Sequence, residues 1–227
     1  MITDRAYSWE MKVERLGERA VILRDLPCQA YRIADSLNSN QGLFQGFQEA
    51  VPSYETVGIY FENRLQSIRD LNEMIENAVN SIWPETSPQY HDIPVCYELG
   101  EDLLDSADAL GVSPEQLVEA HVSQEYTCYA VGFCPGFGYL GYLDESISGL
   151  PRRPSPRIRV EPGSVGITGR QTAIYPSATP GGWNLIGRCP LQLVDVPQNY
   201  FPIRAGDRIR FYRVDESEFG RLRGERL

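Results

Sequence analysis

The chain has 227 residues, 42% hydrophobic and 23% charged, with a formal net charge of -10 and a sequence pI near 4.8. An acidic surface of this kind repels phosphate, which argues against nucleic acid and anionic membrane surfaces as partners. A globular chain of this length buries on the order of 70% of its unfolded surface, in one or two domains.

Residues 10–26 read as a strand pair, with Val13 and Leu16 before a Gly17-Glu18 turn and the apolar run Ala20-Val21-Ile22-Leu23 after it. Residues 28–38 read as a helix with Ala30, Ile33, Ala34 and Leu37 on one face. Phe47 to Val51 and Thr56 to Phe61 read as strands joined at Pro52-Ser53. Ser67 to Ile82 carries Ile68, Leu71, Ile75, Ala78, Val79 and Ile82 at helical spacing, and Trp83-Pro84 ends it. These elements predict a small α+β domain over residues 1–88, structural or interfacial in role. The polar, Pro-bearing stretch 84–92 reads as a linker, and His91 within it as a surface histidine.

The second domain, residues 89–227, opens with a short strand at Ile93 to Tyr97. Leu103, Leu104, Ala107 and Leu110 predict a helix ending at Gly111. Ser113-Pro114-Glu115-Gln116 is a strong helix start, a capping box with Pro at the first helical position. That helix carries Leu117, Val118 and His121. Alternation then predicts strands at 126–132, 157–160, 164–168, 172–175, 191–196 and 208–214. Turn signals at Pro162-Gly163, Pro180-Gly181-Gly182 and Ala205-Gly206-Asp207 separate them. Many short strands at even spacing predict a β-barrel or sandwich. The charged tail, Asp215 to Leu227, reads as frayed.

Scarcity narrows the chemistry. Five cysteines without CxxC spacing suit reduced thiols, and with no apolar leader in residues 1–15 they predict a cytoplasmic protein without a metal site. No run is long and apolar enough for a membrane span. Lys12 is the only lysine, so there is no phosphate-binding P-loop. Glu10-Met11-Lys12-Val13 looks like a biotin-attachment tetrapeptide, but too few residues precede it for the carrier fold, so covalent biotin is not expected.

Glycine, proline and aromatic residues crowd the segment Gly132 to Pro190, which predicts irregular loops on a rigid β scaffold. Within it Arg152, Arg153, Arg157 and Arg159 are spaced by Pro151, Pro154 and Pro156. Such a stiffened cluster in an acidic chain is either an anion site or a set of arginines paired with acids such as Asp144, Glu145 and Glu161.

The same segment carries a resemblance. Gly132-Phe133-Cys134-Pro135-Gly136-Phe137-Gly138-Tyr139-Leu140-Gly141 resembles the GFxPGFxYLGG motif of the allophanate hydrolase subunit 1 family, which includes the B-type subunit of 5-oxoprolinase and a Kip-type inhibitor of a histidine kinase. Pro151-Arg152, Pro156-Arg157, the run Pro162 to Ile167, Gln171 to Pro176, Pro180 to Trp183 and Leu185 to Arg188 resemble its further motifs. Tyr142, Ala173 and Cys189 depart from the usual pattern.

The resemblance implies a small N-terminal α+β domain followed by a cyclophilin-like β-barrel of carboxyltransferase type. It implies a partner of the subunit 2 (C-type) kind, and a third lactam-utilisation subunit in the version that opens 5-oxoproline with ATP. It also leaves open a carboxyltransferase role in urea or allophanate metabolism, and a kinase-inhibitor role. Taken with it, His121 is the candidate imidazole acid/base. Arg153 and Arg157 are candidates to hold a substrate carboxylate or phosphate, and Gln171 and Thr172 to donate to a carbonyl or oxyanion. Tyr175 would donate likewise or close the barrel. Trp183 would stack on a planar ligand or belong to the core. Pro135, Gly136, Gly166 and Gly182 fall on the expected substrate side through their places in the motifs.

Overall fold

The computed structural model describes residues 11–26, 28–40, 45–65, 75 and 87–227. The chain divides into two compact units, Met1–Ser87 and Pro88–Leu227.

In the first unit, β1 (Lys12–Arg15), β2 (Ala20–Arg24), β3 (Phe47–Ser53) and β4 (Thr56–Phe61) form an antiparallel sheet in the order β1-β2-β4-β3. The β1–β2 turn falls where the glycine predicts it, with Gly17 at φ 72°. Helix α1 (Ala30–Ser39) buries Ala30, Ile33, Ala34 and Leu37 in one cluster with Val21, Leu23, Val57 and Ile59. Asn38 ties the helix to the sheet: its Nδ2 donates to the Ala50 carbonyl and its Oδ1 accepts the Ala50 amide, both at 2.8 Å.

The β3–β4 turn lies at Tyr54-Glu55, two residues beyond the expected Pro52-Ser53. Pro52 sits inside β3, paired with Val57. The strand is at the sheet edge, where a residue without an N–H is tolerated. The helix expected over 67–82 lies outside the described residues apart from Ile75, which is buried in the same cluster.

The second unit begins with β5 (Tyr90–Val95), a 3-10 turn (Tyr97–Leu99), α2 (Leu103–Leu110) and α3 (Pro114–Val122). Gly111 ends α2 at φ 71°. The capping box forms as expected: Ser113 Oγ accepts the Gln116 amide and Gln116 Oε1 accepts the Ser113 amide. There follow β6 (Glu125–Val131), β7 (Gly138–Gly141), β8 (Arg157–Val160), β9 (Ser164–Thr168), β10 (Gln171–Ile174), β11 (Thr179–Gly181), β12 (Asn184–Arg188), β13 (Arg208–Arg213) and α4 (Glu216–Leu222).

Seven of these strands make one sheet, β12-β9-β10-β7-β6-β13-β5, and β8 and β11 pair as a separate ribbon. Its two edges meet. Cys96, just after β5, exchanges both backbone hydrogen bonds with Arg188 at the end of β12, each at 2.9 Å. That bridge curls the sheet into a nearly closed barrel, the α+β architecture expected. Gly187 makes it possible, because a Cβ there would meet Val95 Cγ1 at 2.6 Å.

Strand alternation sorts the side chains. Val165, Ile167, Ile174 and Ile186 face the main core with Ile93, Tyr126, Leu140 and Ile209. Ala173 and Leu185, one residue out of phase, face a second cluster with Phe137, Val160, Tyr175 and Trp183.

Several expectations are corrected. Tyr90 to Asp92 belong to β5 rather than to a linker, held by parallel pairing with Arg208 to Arg210 of β13. His91 is not a free surface group: its Nε2 lies 3.2 Å from Asp207 Oδ2, with both side chains largely buried. Residues 191–196 form isolated bridges instead of a strand, because their backbone groups pair elsewhere, Gln192 with Glu225 and Asp195 with Tyr200. Thr179 to Gly181 is the ribbon strand β11 where a turn is expected.

The tail is ordered. Asp215 Oδ1 caps α4 through the Glu218 amide at 2.8 Å, and Tyr200 Oη donates to the Leu227 carbonyl at 2.5 Å.

Candidate functional site

A cavity of about 220 Å³ opens beside the second cluster, lined by Phe133, Phe137, Tyr139, Arg152, Pro156, Tyr175, Pro180, Gly181, Gly182 and Trp183. The glycine- and proline-rich motif loops build it. Phe133 at φ 70° and Gly136 at φ 77° turn the 132–137 loop back on itself, so that the Gly132 amide donates to the Phe137 carbonyl at 3.0 Å. Phe137 is then buried as a hub. Its ring meets Phe133, Tyr139, Tyr175 and Trp183 edge-on, at centroid distances of 5.3, 4.9, 5.3 and 5.6 Å. Edge-to-face pairs of this kind contribute about 0.5–1.5 kcal/mol each beyond burial, which holds the pocket wall rigid.

Gly181 lies directly under Tyr175, where an added Cβ would be 2.5 Å from the phenol oxygen. Burial raises the pKa values of Tyr139 and Tyr175, and Arg152 pulls both part of the way back. Both phenols are therefore protonated near neutral pH, and their proximity to Arg152 registers in that pull.

The arginine cluster divides three ways. Arg153 Nη1 and Arg157 Nη2 both donate to Asp102 Oδ1, at 2.6 and 2.7 Å, and the Leu185 amide donates to Asp102 Oδ2 at 2.7 Å. Asp102 is buried at the start of α2. The bond to Asp102 holds the Arg157 guanidinium above its usual pKa range. Arg159 pairs with Glu161 at the surface, at 2.6 Å. Arg152 makes no ion pair or hydrogen bond among the described residues, and it lines the cavity. Of the acids expected as partners, Glu161 takes Arg159; Asp102 and Glu101, distant in sequence, take Arg153 and Arg157.

His121 sits in the barrel interior with no exposed surface. Tyr97 Oη lies 2.7 Å from its Nδ1, and its Nε2 lies 2.9 Å from Thr172 Oγ1, which in turn donates to the Gly166 carbonyl at 3.2 Å. With the Thr172 proton committed to Gly166, its oxygen accepts from Nε2–H and the Tyr97 hydroxyl donates to Nδ1. The three side chains form a directed chain with every proton placed. The ring stacks on Phe211 at 4.6 Å. Burial lowers its pKa to about 3, so it is neutral near pH 7. His121 faces the barrel interior and not the cavity, because the apolar face of α3 that carries Leu117 carries His121 inward as well.

The remaining candidates also separate. Thr172 faces the interior, and Gln171, one residue earlier on the same strand, faces the opposite side, so they do not converge on one carbonyl. Gly166 is buried in β9, with the Trp183 Cβ 3.1 Å from where a side chain would start. Pro135 is exposed in its loop, and Gly136 packs against Val194. Neither lines the cavity. Arg153 and Arg157 serve Asp102. Tyr175, Gly182 and Trp183 do come together there. The sequence names Arg152 only as one of four clustered arginines, and Phe133 and Tyr139 only as motif residues. The signal was present, since all three lie in the motifs, but nothing local separates Arg152 from its three neighbours.

Burial pushes the Cys128 and Cys189 thiols up to about 12. No cluster of three or more metal-ligating side chains occurs among the described residues, and no described helix is long and apolar enough to cross a membrane.

The second unit is a nearly closed barrel with a small aromatic pocket at its flank. Residues 11–202 match the family model for the carboxyltransferase domain, subdomains C and D. The chain belongs to that family. The B-type subunit of the Bacillus subtilis (strain 168) 5-oxoprolinase is 34% identical over 92% of this chain and 95% of its own length. Its counterpart in Escherichia coli O157:H7 is 39% identical over 86% of this chain and 93% of its own. The solved structure of TTHA0988 superposes with a TM-score of 0.73 at 33% identity; it covers 87% of this chain, which spans only 40% of that one. The urea carboxylase of Kluyveromyces lactis shares the fold, with a TM-score of 0.68 at 16% identity over 92% of this chain and 22% of its own.

Proposed function

We propose that this chain is the B-type subunit of a cytoplasmic, ATP-dependent 5-oxoprolinase. It would work with a C-type (subunit 2) partner and a third lactam-utilisation subunit to open the lactam ring. The observation that carries this reading is the near end-to-end match to proteins named as B-type subunits of 5-oxoprolinase.

The geometry supports a subunit rather than a complete catalyst. The pocket offers aromatic walls, two protonated phenols and an arginine, while neither His91 nor His121 lines it. In this reading Tyr175, Gly182 and Trp183 bound the substrate, and Arg153 and Arg157, through Asp102, hold the loop that carries Arg152. ATP belongs to the assembled complex and is not assigned to residues of this chain. A carboxyltransferase role is the second reading, favoured by the family match over residues 11–202.

The test is 5-oxoproline-dependent ATP hydrolysis, measured with this chain alone and then with candidate partner subunits. Activity in the full mixture alone is the expected result. No activity in any mixture refutes the lactam reading and turns attention to biotin-dependent carboxyl transfer.

A further inference from the structure

We propose that Arg152 selects the ligand of the aromatic pocket, and that the pocket takes a small flat ring bearing a carboxylate, bound by this chain before any partner joins. This rests on the reading of the pocket as the chain's contribution to substrate binding.

Three observations converge on it. The chain has net charge -10, and three of the four clustered arginines hold carboxylates of the protein itself. Arg152 alone among the four is left without an acid among the described residues. It lines a cavity with no carboxylate in its lining, and its charge is felt by the Tyr139 and Tyr175 phenols there. A guanidinium with its donors unspent offers the planar fork that matches a carboxylate in two parallel hydrogen bonds.

The walls set the rest of the ligand. Phe133, Tyr139, Tyr175 and Trp183 supply aromatic lining, and Gly181 lets the backbone approach the Tyr175 ring closely. A flat ring fits between such surfaces. At about 220 Å³ the cavity is below the 300–1,000 Å³ common for drug-sized ligands, which limits the guest to a single small ring with its substituent. The two phenols are protonated and can donate to a ring carbonyl.

The experiment titrates the full chain with 5-oxoproline and with pyrrolidone, the same lactam lacking the carboxylate, by NMR or calorimetry. Wild type, Arg152→Met and Arg152→Lys are compared. The wild type is expected to prefer 5-oxoproline by about tenfold to a hundredfold, the worth of hydrogen bonds between charged groups. In R152M that preference falls to about onefold, and R152K keeps part of it because the charge remains while the fork is lost. Arg152 is exposed and makes no ion pair or hydrogen bond among the described residues, so both variants are expected to keep the wild-type Tm. A wild type that does not discriminate, or discrimination that survives in R152M, overturns the proposal. A chain that binds neither compound overturns the claim that it forms the site alone.

In the assembled complex R152M is expected to raise KM for 5-oxoproline about tenfold or more while kcat changes less. An active complex with unchanged KM removes Arg152 and leaves the lactam reading standing. A complex inactive with every variant removes the lactam reading, while the binding preference of the chain still decides for or against Arg152.

Discussion

Removing the charge of Asp102 should destabilise the barrel unit by about 3 kcal/mol. In Asp102→Asn the side-chain shape is kept, but one carbonyl oxygen must replace two carboxylate oxygens. Those oxygens now accept from Arg153, Arg157 and the Leu185 amide. The Asn NH2 is left facing donors. The Leu185 amide is buried, and orphaning such a group costs about 1–3 kcal/mol. The Arg157 side chain is 20% exposed and already has one buried nitrogen, Nη1, without a partner. Losing its carboxylate adds about 1–2 kcal/mol, below the 3–5 of a fully buried pair. The Arg153 side chain, at 37% exposed, recovers most of its loss from water.

At about 2–4 °C per kcal/mol for a chain of this size, Tm should fall by about 6–12 °C. Thermal unfolding followed by circular dichroism, with the urea midpoint alongside, measures it. A double-mutant cycle with Arg157→Met should return a coupling of about 1–3 kcal/mol. A D102N variant with Tm within about 2 °C of wild type, or strict additivity in the cycle, would refute the assignment of Asp102 as the anchor of the arginine loop.

The barrel interior should respond to acid and to added volume. His121 is neutral in the fold, with its pKa lowered from 6.5 to about 3. The unfolded chain binds a proton there that the native state refuses, so its contribution is fully present above pH 6.5. It is lost as pH falls toward 3, with a limiting slope of about 1.4 kcal/mol per pH unit. His121→Gln should flatten that acid limb in urea titrations run at several pH values; an unchanged limb would show that the ring is not the titrating group. Gly100→Ala should be severely destabilising, by about 3 kcal/mol or more, because its Cβ would run into the Ile186 backbone carbonyl. Gly111→Ala should cost only about 1 kcal/mol, since that residue has φ 71° but open space around it. Equal losses at the two glycines would contradict the packing of the 3-10 turn against β12.

Local chemistry in the sequence determined much of this protein. The capping box at Ser113–Gln116, the stop at Gly111, the buried face of α1 and the alternation of β9 and β10 are all contained in runs of a few residues, where spacing alone decides conformation. The crowding of glycine and proline between 132 and 190 likewise marked the segment that builds the pocket. Tyr175, Gly182 and Trp183 were legible as site candidates because they lie within its motifs.

What the sequence did not determine is what each polar group meets. Four arginines within eight residues look alike in a row. Only the fold brings Asp102, from the start of α2, under two of them and leaves Arg152 facing the cavity. His121 reads as a catalytic imidazole or a core residue with equal ease. The closure of the sheet through Cys96 and Arg188 puts it inside the barrel, where the desolvation of a charged ring exceeds what its neutral partners can offset. The tail reads as frayed because its charges are visible and its partners are not; Gln192, Asp195 and Tyr200 hold it in place from elsewhere in the chain. Local conformation follows from neighbouring residues, whereas burial and pairing follow from contacts between distant ones, and those exist only once the barrel has closed.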